Sequence, residues 1–186
     1  MAELTFRSPS LSDRASVCDY RAELLSHRVE GDLDPFDGSA GLGSFDRFDE
    51  WLKRVRLLSS ERAIRHGFYK TDVRLCYCGD RLVGILNARL TDEPFLRLYA
   101  GHIGYNVRPS ERGHGFGRAC ALEALRLCRA SGVETPVICT DPNNLASRRT
   151  AESVGFLYVG LETTENGITV ARHVYSPRSP SVSLLP

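Results

Sequence analysis

At 186 residues the chain has the length of one domain with room for a full hydrophobic core. A formal net charge of +1 and a pI near 7.7 exclude bulk electrostatic attraction to nucleic acid or to an anionic membrane. No apolar run approaches the ~18 residues of a membrane span, and the N-terminus lacks the apolar centre of a signal peptide. A soluble, cytoplasmic protein is therefore expected.

In chain order, Leu4-Thr5-Phe6-Arg7 reads as a first strand. Ser10 or Ser12 caps a helix to about Ser26, with Ala15, Cys18, Ala22 and Leu25 near helical spacing. Residues 30–44 hold Gly31, Pro35, Gly38, Gly41 and Gly43 and read as a loop. A second helix over about 45–58 gathers Phe45, Phe48, Trp51, Leu52, Val55 and Leu58 on one face. Val73–Cys78 and Arg81–Thr91 pair as a hairpin through Gly79-Asp80, and a loop with Pro94 follows.

Residues 102–107 alternate as a strand that Pro109 stops, and Ser110-Glu111-Arg112-Gly113 turns the chain. A long helix from Gly115 to about Ser131 carries Arg118, Glu123, Arg126 and Arg129 on one stripe and apolar residues on the rest. It should pack on a sheet. Pro136–Thr140 reads as a short buried strand, and Asn143 or Asn144 caps a helix over about 145–153. Phe156–Thr163 and Ile168–Tyr175 close the domain as a hairpin through Glu165-Asn166-Gly167. One domain over 1–175 and a disordered tail over 176–186 are predicted.

The basic residues are nearly all arginine, with Lys53 and Lys70 the only lysines, which reflects coding bias before function. The six cysteines (Cys18, Cys76, Cys78, Cys120, Cys128 and Cys139) read as free thiols, most of them inside strands and the main helix. No Cys/His set has zinc spacing.

Chemistry concentrates where the fourth predicted strand becomes the main helix. Gly113, Gly115 and Gly117 recur at every second position there. Glycine lets backbone approach a ligand closely, and the first helical N–H groups lack an intrahelical acceptor. Such a turn suits a phosphate or pyrophosphate, with Arg112 and Arg118 adding charge. It is not a P-loop, because no Lys-Ser/Thr follows, and it lacks the pattern of a dinucleotide fingerprint.

Arg112-x-x-Gly115-x-Gly117 after Val107-Arg108-Pro109 resembles the acetyl-CoA signature of the GCN5-related N-acetyltransferase (GNAT) superfamily. A second segment, Asn144-Leu-Ala-Ser147 through Gly155-Phe156, is similar to the stretch after that family's central cofactor strand. The element order agrees over about 70–175. His102-Ile-Gly-Tyr with Arg89 and Cys139-Thr-Asp141 looks most like a little-characterised bacterial group of predicted acetyltransferases.

The resemblance implies a mixed α/β fold: a splayed, mostly antiparallel sheet with about four helices and acetyl-CoA in the gap between strands 102–107 and 136–140. The pyrophosphate would rest on Arg112, Gly113, His114, Gly115, Phe116, Gly117 and Arg118. The pantetheine arm would run along Tyr105, Asn106 and Val107, with Asn144 opposite. One strand N–H would stabilise the oxyanion of the reacting thioester.

Many relatives place a tyrosine seven residues after the motif asparagine to protonate the leaving thiolate. Here that position is Ala151, and Ser147 is the substitute expected. For the base that deprotonates the amine the candidates are His102 and Glu93, with Asp92 beside it. Helix capping by Asn144 and a core role for His102 are the competing structural readings.

Between Glu30 and Glu50, seven acidic residues (Glu30, Asp32, Asp34, Asp37, Asp46, Asp49 and Glu50) face Arg47 alone, a balance that favours a cationic amine. The expected activity is direct acetyl transfer to a primary amine of a small molecule or amino-acid derivative. Transfer of a longer acyl group, a protein N-terminus or lysine as acceptor, and an idle CoA-binding sensor or scaffold are the alternatives, with a homodimer one open assembly. No nucleic-acid or membrane partner is expected.

Overall fold

The computed structural model describes residues 3–27, 34 and 36–177. The tail expected to be disordered lies outside them from residue 178 on, as do Glu30, Asp32 and Pro35 of the acidic loop. Among the described residues seven strands form two antiparallel sheets. The first has the order β1 (Leu4–Arg7), β2 (Thr71–Cys78), β3 (Arg81–Arg89), β4 (Ile103–Val107). The second has the order β5 (Val137–Thr140), β7 (Thr169–Tyr175), β6 (Phe156–Thr163).

Helices α1 (Arg14–Ser26) and α2 (Phe48–Leu58) cover one face of the first sheet. Their Val17, Tyr20, Leu24, Trp51, Leu52 and Val55 pack on Val73, Leu75, Leu82 and Ile85. Phe48, Trp51, Leu52 and Val55 are the buried face that the sequence spacing predicts. A short helix α3 (Arg62–Arg65), too brief for a periodic signal, leads into β2.

Helix α4 (Phe116–Ala130) covers the other face, and α5 (Leu145–Ser153) lies beside it on the second sheet. Cys120, Ala121, Ala124, Leu125 and Cys128 of α4 join Val83, Leu86 and Ile138 in a second core. Small residues in α4 bring the helix close to the sheet, and the cysteines serve as compact apolar groups. None of the six cysteines forms a disulfide. Among the described residues no helix is long and apolar enough to cross a membrane.

The two sheets meet at one point. The His102 N–H donates to the Val137 carbonyl at 2.6 Å, and the Val137 N–H donates to His102 Nδ1 at 3.1 Å. Gly101 just before has φ +69°, and a Cβ there would fall 2.8 Å from the Cys139 nitrogen, so only glycine permits this approach. Beyond that staple no ladder joins β4 to β5 among the described residues. The strands therefore part, and a cleft opens between them.

This arrangement revises one detail of the sequence reading. The β5 strand is buried, yet it lies at the edge of its own sheet, because its outer side faces the split. Between β3 and β4 the loop with Pro94 contains one π-helical turn, Leu96–Ala100, that buries Leu96 against the second sheet.

Candidate active site

The split widens into a cleft of about 1290 Å³ that runs from the start of α4 to the loop before α2. Its first end is made of backbone. Gly113 and Gly115 take φ of +82° and +84°, and Gly115 is the N-cap of α4, with no side chain capping it. The N–H groups of residues 113–118 meet no acceptor among the described residues, and they gather at the positive end of a 15-residue helix. A Cβ on either glycine would stand in open space, so the left-handed backbone is what selects glycine there. Gly117 packs on Tyr105, Val107 and Thr150 at ordinary contact distances.

Arg112, Gly113, Gly115, Phe116, Gly117 and Arg118 all line the cleft. His114 does not: it is exposed, with Nδ1 3.3 Å from the Glu111 carbonyl. The outward arginines and the free N–H groups fit a pyrophosphate. The turn is in turn fixed from below by Arg108, whose guanidinium is buried and bonds Leu82 O, Asp19 and Glu23. Burial alone would raise the Glu23 carboxyl, but the Ser110 N–H and hydroxyl together with Arg108 bring it down to about 2.

The middle of the cleft holds Tyr105, Asn106 and Val107 on one wall and Ile138, Cys139, Asn144 and Ser147 on the other. Asn144 Oδ1 accepts the Ser147 N–H at 3.0 Å, so it caps α5 while lining the cleft. Ser147 Oγ lies 3.1 Å from the Tyr105 hydroxyl. Ala151 is fully buried in the core of this wall.

At the far end stand Asp34, Phe36, Asp37 and Gly38 with Phe45, Phe68, Tyr69 and Arg89. Two asparagines hold this loop on the sheet. Asn106 donates to the Asp37 carbonyl at 2.8 Å, and Asn87 donates to the Gly38 carbonyl at 2.7 Å. Asn106 is itself placed by the buried Tyr20, whose hydroxyl donates to its Oδ1 at 2.7 Å. Partial desolvation raises the Asp37 carboxyl, with Asp34 adding to the shift, against the Gly38 N–H and Arg89. Arg89 donates to the carbonyls of Ala100 and Gly101 at 2.9 and 2.8 Å.

Neither base candidate reaches this cavity. His102 is fully buried, spends Nδ1 on the Val137 N–H and has Nε2 3.4 Å from Asp92. Burial pushes its imidazole below the ordinary range, so it sits neutral as the staple of the two sheets. Glu93 is exposed in the loop before the π-helical turn and lines no part of the cleft. Its neighbour Asp92 is bound by Arg97. Asp37 is the titratable carboxylate that the sequence placed only in an acidic loop. The position of its loop depends on contacts between residues 49 and 69 positions apart, which no local pattern reports.

A split sheet and a backbone anion cradle beside the split are the features expected of an acetyl-CoA-dependent acetyltransferase. The comparisons agree. A family model described as an acetyltransferase (GNAT) domain matches residues 3–157, and the chain belongs to that family.

Solved structures share the fold at low identity. RimL, a ribosomal L7/L12 alpha-N-protein acetyltransferase in complex with coenzyme A, superposes with a TM-score of 0.60 at 20% identity over 92% of each chain. Mycobacterium smegmatis RimJ in complex with CoA-disulfide gives 0.66 at 19% identity, over 97% of this chain and 85% of that one. The putative acetyltransferase yncA of Salmonella typhimurium, with acetyl-CoA, gives 0.59 at 16% identity over 96% of each. Among curated proteins none matches the sequence.

Proposed function

We propose that the protein transfers the acetyl group of acetyl-CoA directly to a primary amine that arrives as a cation, carried by a small molecule or an amino-acid derivative. The observation that carries this reading is the polarity of the cleft. Arg112, Arg118 and unbonded N–H groups lie at one end beside Glu111. At the other, Asp34 and Asp37 stand with Arg54, stacked on Phe68, and Arg89, bonded to the Ala100 and Gly101 carbonyls.

Bound acetyl-CoA supplies an activated thioester. The cradle at 113–118 holds its phosphates, and the backbone along Tyr105–Val107 orients the arm. An ammonium is attracted to the aspartates but must lose a proton before it attacks. Asp37 suits that task, because it is open to the cleft while partial desolvation by the surrounding chain raises its carboxyl above the ordinary carboxylate value. The Asn106 and Asn87 bonds fix its loop across the middle of β4, beside the reacting end of the arm.

A second reading has support of its own. RimL is by its description an alpha-N-protein acetyltransferase, it covers nearly the whole chain, and a cleft of about 1290 Å³ admits an extended peptide end as well as a small amine. Thiol release measured with small cationic amines, amino-acid amides, and peptides with free or blocked N-termini separates the two. Turnover of small amines supports the first reading. Turnover confined to free-N-terminal peptides transfers the assignment to the second, and no release with any acceptor from protein that binds CoA sinks both. With the best acceptor, Asp37→Asn should lower kcat/KM by about a hundredfold and flatten its acid limb. Unchanged kinetics would remove Asp37 from the role of base.

A further inference from the structure

The two walls of the split are joined by a pair of hydroxyls. Tyr105 projects from β4 beneath the start of α4, with its ring under Gly117, and reaches the first turn of α5. There its Oη lies 3.1 Å from Ser147 Oγ and 3.2 Å from the Ser147 carbonyl. Ser147 cannot drift away, because Asn144 holds its N–H. Thr150, the next hydroxyl along α5, donates to the Ala146 carbonyl. Tyr105 and Ser147 both line the cleft between the phosphate cradle and the acidic end, the stretch the acyl-bearing arm must cross.

A serine hydroxyl alone is a poor proton donor. A phenol behind it makes it a better one, because the second hydrogen bond polarises the first. Burial raises the Tyr105 phenol, partly offset by bonds to Ser147 and Thr150, so it keeps its proton in the working pH range. The phenol also has two acceptors within reach, the Ser147 carbonyl and its Oγ, and can turn from one to the other without moving the ring.

We propose that Tyr105 is a positioning residue for the acetyl transfer, backing Ser147 as proton donor to the departing CoA sulfur. The proposal rests on the reading that CoA binds in this cleft. As the acceptor nitrogen bonds the acyl carbon and the carbon–sulfur bond breaks, the electron pair stays on sulfur. Ser147 Oγ–H bonds to that sulfur, and Tyr105 Oη–H turns from the Ser147 carbonyl to Ser147 Oγ. If transfer goes to completion, the serine proton passes to sulfur, the tyrosine proton passes to serine, and the phenolate regains one from water. A phenol delivered from β4 thus backs the wall where Ala151 offers none.

The test needs no acceptor. The thiol of CoA bound to the intact protein is titrated by the ultraviolet absorbance of its thiolate. A donor aimed at sulfur makes that thiol more acidic than free CoA. Ser147→Ala and Tyr105→Phe should each weaken its acidity, the latter by about threefold to tenfold. The double variant should match Ser147→Ala, since the phenol acts through the serine. A fluorotyrosine at 105, which keeps the shape but makes the phenol a stronger donor, should shift the titration the opposite way from phenylalanine.

Tyr105→Phe with CoA affinity intact and the thiol unmoved overturns the proposal, as does an additive double variant or silence on fluorination. If Tyr105→Phe folds poorly, the fluorotyrosine titration alone decides. Failure of CoA to raise the melting temperature of the unmodified protein is a different result. It removes the transferase reading and this proposal with it.

Discussion

Gly115 and Gly38 both hold left-handed backbone, at φ +84° and +78°, yet they stand in opposite surroundings. A methyl group at Gly115 would meet open space, whereas one at Gly38 would fall 2.2 Å from the Tyr105 carbonyl oxygen. The phosphate end of the cleft is therefore a local device. A turn of consecutive residues presents its own N–H groups, and the distant contacts that fix it, Arg108 and Ser110 on Asp19 and Glu23, bear on the residues before the glycines. The acceptor end is a tertiary device, a loop pressed onto the centre of β4 and pinned by Asn87, Asn106 and, through Asn106, Tyr20. One end can be changed for binding alone; the other cannot be changed without moving the fold.

The sharpest way to break the contrast is Gly38→Ala. The clash with Tyr105 adds to the left-handed strain, for a loss of about 3 kcal/mol in denaturant unfolding. Acceptor KM should rise with it by more than CoA affinity falls, since the clash also touches the Tyr105 backbone of the cofactor wall. Alanine tolerated at Gly38 would show that the loop does not rest on β4.

Gly115→Glu attacks the other end. Its own cost to stability is about 1–2 kcal/mol from the backbone alone. It should also abolish the stabilisation of about 2.7 kcal/mol that a ligand at 100 times its dissociation constant provides. Thermal shift with acetyl-CoA reads this directly, and a variant that keeps the shift would place the phosphates elsewhere.

Asn106→Ala sharpens the comparison from the acceptor side. It strips the Tyr20 hydroxyl and the Asp37 carbonyl of a partner, at a cost of about 1–3 kcal/mol. Turnover should weaken in KM for the acceptor more than in acetyl-CoA affinity, as steady-state kinetics with each substrate varied would report.

The smallest effect is one of pH. Glu23 has a folded pKa of about 2, below the usual carboxylate value, so the stability it contributes is present at neutral pH. That contribution is lost as the pH falls from the ordinary glutamate range through about 2. Glu23→Gln should flatten this limb of the stability profile, and an unchanged acid limb would mean that Arg108 and the turn after it stand without it.

How much of this was legible in the sequence follows the same division. The hydrophobic spacing of α2, the Pro109 stop and the glycine turn into α4 are short-range patterns, and they appear in the fold where the spacing puts them. The cradle residues were legible because a helix start and its glycines are consecutive in sequence. His102 lies outside the cleft for the opposite reason. Its residue type suits proton transfer, but only the folded chain brings Val137 against both its backbone and its ring. Glu93 reads as an acid near the strand, yet it is exposed before the π-helical turn and does not line the cleft.

The sequence by itself determined the elements, their order, the anion cradle and the family, because each depends on residues within a few positions of one another. Tertiary structure decided that the Asp37–Gly38 loop is pinned on Asn87 and Asn106 and that Tyr105 meets Ser147 across 42 residues. Those outcomes depend on hydrogen bonds between elements that become neighbours only when both cores have closed, and no local pattern encodes them.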